Sequence, residues 1–162
     1  MPLSRPFRRL APVALLAVAA VAACKDDKAT APEPERYVLA LTGAAERPNA
    51  VTTTSTGSAV ITVLNKDSIE YLMYVSGDSI TASHIHAADV NSAGPIMVFT
   101  FGGPVTGRID GAFRFGYITR TGTFSGAFTM DSLLTRIRAG NAYLNVHTRK
   151  FPGGELRGQI VK

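Results

Sequence analysis

An all-β fold, an antiparallel β-sandwich carrying one short helix, is what this chain predicts, and three observations predict it. From Arg36 onward, short runs of alternating apolar and polar residues are separated by turn-forming residues. Glycine occurs 15 times and tryptophan not at all, with threonine in long polar runs, a usage that favours strands and tight turns. Hydrophobic residues make up 46% of the 162-residue chain and charged residues 18%, which supplies the core of one domain of ordinary size.

Nine runs read as strands: 37–42, 57–64, 68–75, 80–87, 96–101, 111–117, 122–128, 142–148 and 155–161. Asn65-Lys66-Asp67 joins the second and third as a hairpin loop, because Asn and Asp tolerate turn geometry. Residues 130–139 break the pattern. Leu133, Leu134 and Ile137 recur at helical spacing, Asp131 stands where an N-cap would, and Gly140 follows as a C-terminal stop.

The first 23 residues read as an address rather than as fold. Arg5, Arg8 and Arg9 precede a 14-residue apolar run, Leu10 to Ala23. At about 1.5 Å per residue that run falls short of a hydrocarbon core of about 30 Å, so it is expected to be a signal-peptide core. It ends Val21-Ala22-Ala23-Cys24, which resembles a bacterial lipobox, and Cys24 is the only cysteine of the chain. Cys24 is therefore the expected lipidation site, and the chain is expected to be an extracytoplasmic, membrane-anchored lipoprotein. Residues 24–35 are charged and contain proline, so they read as a lipid-anchored flexible tether, with the folded domain over 36–162.

Charge and cysteine usage exclude several classes. The 17 Lys and Arg against 12 Asp and Glu give +5 overall, but three of the positive residues lie in the leader, which leaves 14 against 12, or +2, from residue 24 onward. A nearly neutral body is not that of a nucleic-acid binder. A single cysteine rules out an internal disulfide framework and a cysteine-based zinc cluster. Gly-x-Ser-x-Gly, phosphate-loop and His-Glu-x-x-His patterns are missing from the chain, and Glu155 has no partner carboxylate on its strand for acid–base work.

Strand alternation then asks which side chains share a face. His84 and His86 point one way and Ile85 the other; Tyr143, Asn145 and His147 oppose Leu144 and Val146; Glu155, Arg157 and Gln159 oppose Leu156 and Ile160. With Ile85, Leu144, Val146, Leu156 and Ile160 in the core, all three histidines of the chain collect on one polar side. The aromatic run Phe113, Phe115 and Tyr117 also alternates, and core packing is its ordinary explanation.

Several ordered motifs resemble a known family. They are Leu41-Thr42-Gly43 with Glu46 and Pro48, Ser83-His84-Ile85-His86 leading to Gly94-Pro95, Ile137-Arg138-Ala139-Gly140 with Tyr143-Leu144-Asn145-Val146-His147-Thr148, and Phe151-Pro152-Gly153-Gly154-Glu155-Leu156-Arg157-Gly158-Gln159-Ile160. Over residues 36–162 the chain is similar to the chordin-type domain family, CHRD. The resemblance implies an extracytoplasmic β-rich module that binds an envelope or extracellular protein partner or plays a structural part, with Glu46, Asn145, Arg157 and Gln159 as motif residues. It does not imply a chemistry, since fold does not fix function.

The residues themselves offer a second reading. His84 and His86, two apart on a strand, with His147 as a third nitrogen and Glu155 as an oxygen ligand or supporting partner, form a set suited to one copper or zinc ion. The His-x-His run resembles the copper ligands of copper/zinc superoxide dismutases, so the sandwich is expected to be superoxide-dismutase-like or immunoglobulin-like. Three histidines cannot build that enzyme's two-metal site. The competing explanation is a polar network that fixes strand register.

Overall fold

The computed structural model describes residues 33–162, so the expectations for the leader and most of the tether lie outside the described residues. Two four-stranded antiparallel sheets face one another. The first contains β1 (Glu35–Leu41), β2 (Thr56–Asn65), β3 (Ser68–Asp78) and β6 (Arg108–Thr119), in the order β1-β2-β3-β6. The second contains β4 (Ile80–His86), β5 (Ile96–Gly102), β7 (Tyr143–Thr148) and β8 (Leu156–Gln159), in the order β5-β4-β7-β8. The predicted sandwich is therefore the observed fold.

Alternation explains the core. On the first sheet Leu39, Leu41, Ile61, Ile69 and Met73 point inward, and on the second Ile85, Leu144, Val146, Leu156 and Ile160 meet them, all buried. The two sheets touch at one edge, where Thr42 and Arg157 exchange backbone hydrogen bonds of 3.1 Å in both directions. Gly158 permits that approach, since a Cβ there would lie 2.6 Å from the Ala40 carbonyl oxygen.

The Asn65-Lys66-Asp67 hairpin forms as expected, with the Asp67 amide donating to Asn65 Oδ1 at 2.8 Å. The helix α1 spans Met130–Arg138 and buries Met130, Leu133, Leu134 and Ile137 against the core. Its N-cap is Thr129, not Asp131: Thr129 and Ser132 form a reciprocal capping box. Asp131 sits in the first turn and pairs with Arg120 instead. Gly140 has φ +69°, and the Asn141 and Gly140 amides reach back to the carbonyls of Arg136 and Ile137, which closes the helix.

Two readings of the sequence need correction. The run 122–128 is not a strand: Gly126 turns the chain at φ +57°, and only an isolated bridge, Val98 to Phe124, remains. Phe113, Phe115 and Tyr117 do not share a face either. Register shifts in β6 opposite Met73 and Tyr74, so Phe113 packs beside Phe101 while Phe115 and Tyr117 turn outward.

Candidate metal centre

The polar face expected from parity lies on the outer side of the second sheet. Its strand order is what brings it together: β4 pairs with β7, which sets His84 opposite Asn145, His86 opposite Tyr143 and Ala82 opposite His147. β7 then pairs with β8, which sets Asn145 opposite Arg157 and Tyr143 opposite Gln159. One strand from mid-chain and two consecutive strands from its end thus build one surface.

Loops roof most of that surface. Glu46, His84, His86, Asn145, Glu155 and Arg157 are all buried. Arg157 donates to the carbonyls of Ser92 at 2.9 Å and Asp89 at 2.7 Å and to Gln159 Oε1 at 3.0 Å, which ties the loop after β4 to the sheet. Its guanidinium lies 3.7 Å over the Tyr143 ring. Gln159 Nε2 donates to the carbonyls of Ala88 and Gly140. Asn145 Nδ2 donates to Glu46 Oε1 at 2.5 Å and to the Leu156 carbonyl at 3.2 Å. These motif residues are satisfied inside the domain, so they hold the fold and do not present a contact surface.

The three histidines form a separate group, each offering one ring nitrogen, with those atoms within 4.8 Å of one another. Glu155 is not in that group; its Oε1 accepts a 2.5 Å hydrogen bond from Thr53 Oγ1. His86 Nδ1 donates to the Gly94 carbonyl at 2.9 Å, and His147 Nδ1 donates to the Pro152 carbonyl at 2.9 Å. A ring that gives its Nδ1 proton to a carbonyl carries its lone pair on Nε2. His147 Nε2 faces His84 Nδ1 at 3.0 Å, so His84 is the donor of that pair. His86 Nε2 is buried with no partner.

Electrostatics keep these rings neutral. Burial is the main cause that pulls His84 down to about 4, with His147 and His86 adding to it. Burial likewise pulls His86 down to about 4, against the Gly94 carbonyl. His147 is lowered by burial too, opposed by the Pro152 carbonyl. Neutral imidazoles are the form that binds metal. Aromatic rings brace the set: Tyr143 stacks on His86 at 4.8 Å and 11°, and Phe99 meets His84 edge-on at 4.5 Å.

Three nitrogens at about 2.0–2.1 Å from one ion lie roughly 3.3–3.6 Å apart. The pair at 3.0 Å is already that close, and a separation as wide as 4.8 Å has to close by roughly 1.3 Å, within the reach of ring rotation. The donor set is one that copper and zinc both accept.

The family model of the CHRD domain matches residues 37–160. The chain belongs to the CHRD domain family. No curated protein and no solved structure matches it. Membership of the CHRD family fits a structural or binding module on a β-sandwich. The sequence motifs had pointed to Glu46, Asn145, Arg157 and Gln159 without their partners. The carbonyls of Gly94 and Pro152, which orient two of the three histidines in this CHRD domain, carry no side-chain signal; the only trace is the Gly94-Pro95 and Pro152-Gly153 turns.

Proposed function

We propose that this chain is a lipid-anchored, extracytoplasmic CHRD module that binds one copper or zinc ion through His84, His86 and His147, without turning over a substrate. The observation that carries the reading is His86 Nε2, a buried ring nitrogen with no hydrogen-bond partner, held by its own Nδ1 bond to face the other two rings. A buried polar atom left unpaired costs about 1–3 kcal/mol, and an ion that accepts its lone pair removes that cost. In this reading the ion displaces the His84 Nδ1 proton, and the ring stays neutral by carrying its proton on Nε2.

The anchor would be Cys24, by the lipobox pattern, and the module would work on the outer side of a bacterial membrane as part of the cell envelope. An envelope or extracellular protein partner is the second reading. The burial of Glu46, Asn145 and Arg157, and the internal hydrogen bonds of Gln159, move any such contact away from these motif residues.

The test is the metal content of the purified protein after incubation with copper or zinc salts and desalting. Near one ion per chain, lost in His86→Ala, is the expected result. No retained ion from either salt overturns the metal reading and leaves the histidines as part of the fold.

A further inference from the structure

We propose that the outer face of the first sheet rests on the lipid surface to which the chain is tethered. The proposal rests on the reading of Cys24 as a lipid anchor and adds to it a defined orientation of the domain.

The face carries an apolar row that crosses all four strands. Val38 pairs with Val60, Val60 with Leu72, and Leu72 with Phe115. Tyr117 sits beside Phe115, ring to ring at 5.2 Å, and Tyr74 stands one pair along β3. Nine large apolar side chains are exposed among the described residues, and four of them, Val38, Tyr74, Phe115 and Tyr117, belong to this one face. Phe115 and Tyr117 are each 54% exposed and Val38 69%. Aromatic residues of this kind favour the headgroup region of a bilayer. The second sheet has no equivalent, because loops roof its outer side.

The chain leaves the domain on the same face. Glu33 and Pro34 line a cavity together with Val60, Thr62, Glu70 and Leu72. Between Cys24 and Glu33 lie nine steps of chain, which span at most about 30 Å when fully extended. A tether that short keeps the face at an effective concentration in the millimolar range beside the bilayer, so a weak apolar contact suffices to orient the domain. Charges on the face are mixed, Arg36 and Arg108 against Glu70, Asp78 and Asp110, with Arg108 paired to Asp110, so the contact is apolar and little affected by salt. The three histidines, on the opposite sheet, then face away from the lipid.

The experiment uses full-length protein, processed in bacteria and reconstituted into vesicles of phosphatidylethanolamine and phosphatidylglycerol. Because Cys24 is the sole cysteine, Ala40→Cys and Ala112→Cys on the face, and Lys150→Cys on the loop after β7 for comparison, each take one nitrobenzoxadiazole dye. The apolar row stays intact in all three. Expected is flotation with the vesicles and emission several-fold brighter and blue-shifted at positions 40 and 112 relative to 150, in low and high salt alike. Phe115→Ser with Tyr117→Ser should abolish that difference. Protein that fails to float overturns the anchor, and this orientation with it. Flotation with all three dyes in water overturns the orientation alone. Shielding that vanishes as the protein is diluted on the vesicle surface marks a contact between copies and also overturns it.

Discussion

His86 Nδ1 gives its proton to the Gly94 carbonyl at 2.9 Å, and this one bond leaves the lone pair of His86 Nε2 buried with no donor. The ring is therefore held in the tautomer and direction that a metal ligand needs. His86→Ala should take the retained copper or zinc from near one ion per chain to near zero. Metal at 100 times its dissociation constant should stabilise the wild type by about 2.7 kcal/mol, and His86→Ala not at all. Thermal melts with and without the ion read this directly.

Tyr143 supports the same bond from behind. Its ring stacks on His86, and its hydroxyl accepts the Gly94 amide at 3.3 Å. Tyr143→Phe keeps the stack and removes the acceptor. A metal affinity lower by about 10-fold is expected, with a stability loss of about 1 kcal/mol. Chelator competition measures the first and denaturant unfolding the second; unchanged affinity would show that Gly94 needs no such support.

Much of this site was legible in the sequence because a strand's two-residue period is a local property. His84, His86 and His147 fall on one side of Ile85, Leu144 and Val146 whatever surrounds them, and the core then chooses the side. What parity could not reach are contacts set by chain-distant loops. Glu46 and Asn145 are 99 residues apart, and nothing in either neighbourhood marks the other. Glu155 shares its parity with Arg157, yet Thr53, 102 residues away, takes its carboxylate. Alternation also fails at irregularities: the register shift in β6 separates Phe113 from Phe115 and Tyr117, which the pattern had joined. At the helix start Thr129 and Asp131 are both good caps by type, and the reciprocal bond with Ser132 decides between them.

Buried groups of opposite kind should make the metal-free protein gain stability up to about pH 6.5 and hold it nearly level above. His84 and His86 titrate at about 4 in the fold against an ordinary 6.5, so between those values the unfolded chain holds more protons and stability falls as pH falls. Glu46 behaves in the reverse sense. Burial, the main cause, pushes it up to about 7 against an ordinary 4.5, so the fold holds the extra proton and stability falls as pH rises through that window. Each group contributes at most about 1.4 kcal/mol per pH unit. Two histidines outweigh one carboxyl from about pH 5 to 6.5, and from there to about 7.5 the last of the histidine titration and that of Glu46 nearly cancel. Glu46→Gln should uncover the rest of the histidine gain, about 0.7 kcal/mol between pH 6.5 and 7.5, where the wild type stays level. A wild type that gains as much as Glu46→Gln between pH 6.5 and 7.5 in urea titrations would contradict the role given to Glu46.

Arg157 is the clamp between the second sheet and the loop after β4, and its replacement should be among the most damaging in the domain. Arg157→Met keeps the length of the stem and strips the donors from the Ser92 and Asp89 carbonyls and from Gln159, together with the charge over Tyr143. Buried acceptors left bare and a lost loop anchor should cost roughly 3–5 kcal/mol. Arg157→Lys should recover only part of this, since one ammonium cannot serve two carbonyls and a ring face as a planar guanidinium does. Arg120 provides the contrast. It also bridges distant segments, pairing with Asp67 and Asp131, but all three side chains are open to solvent, and Arg120→Met should cost far less than Arg157→Met. Because the Arg157 clamp holds the loop that carries Gly94, Arg157→Met should also lower metal retention, whereas Arg120→Met should leave it unchanged. Parallel melts and metal assays on the three variants check both statements, and equal losses at the two positions would refute the clamp.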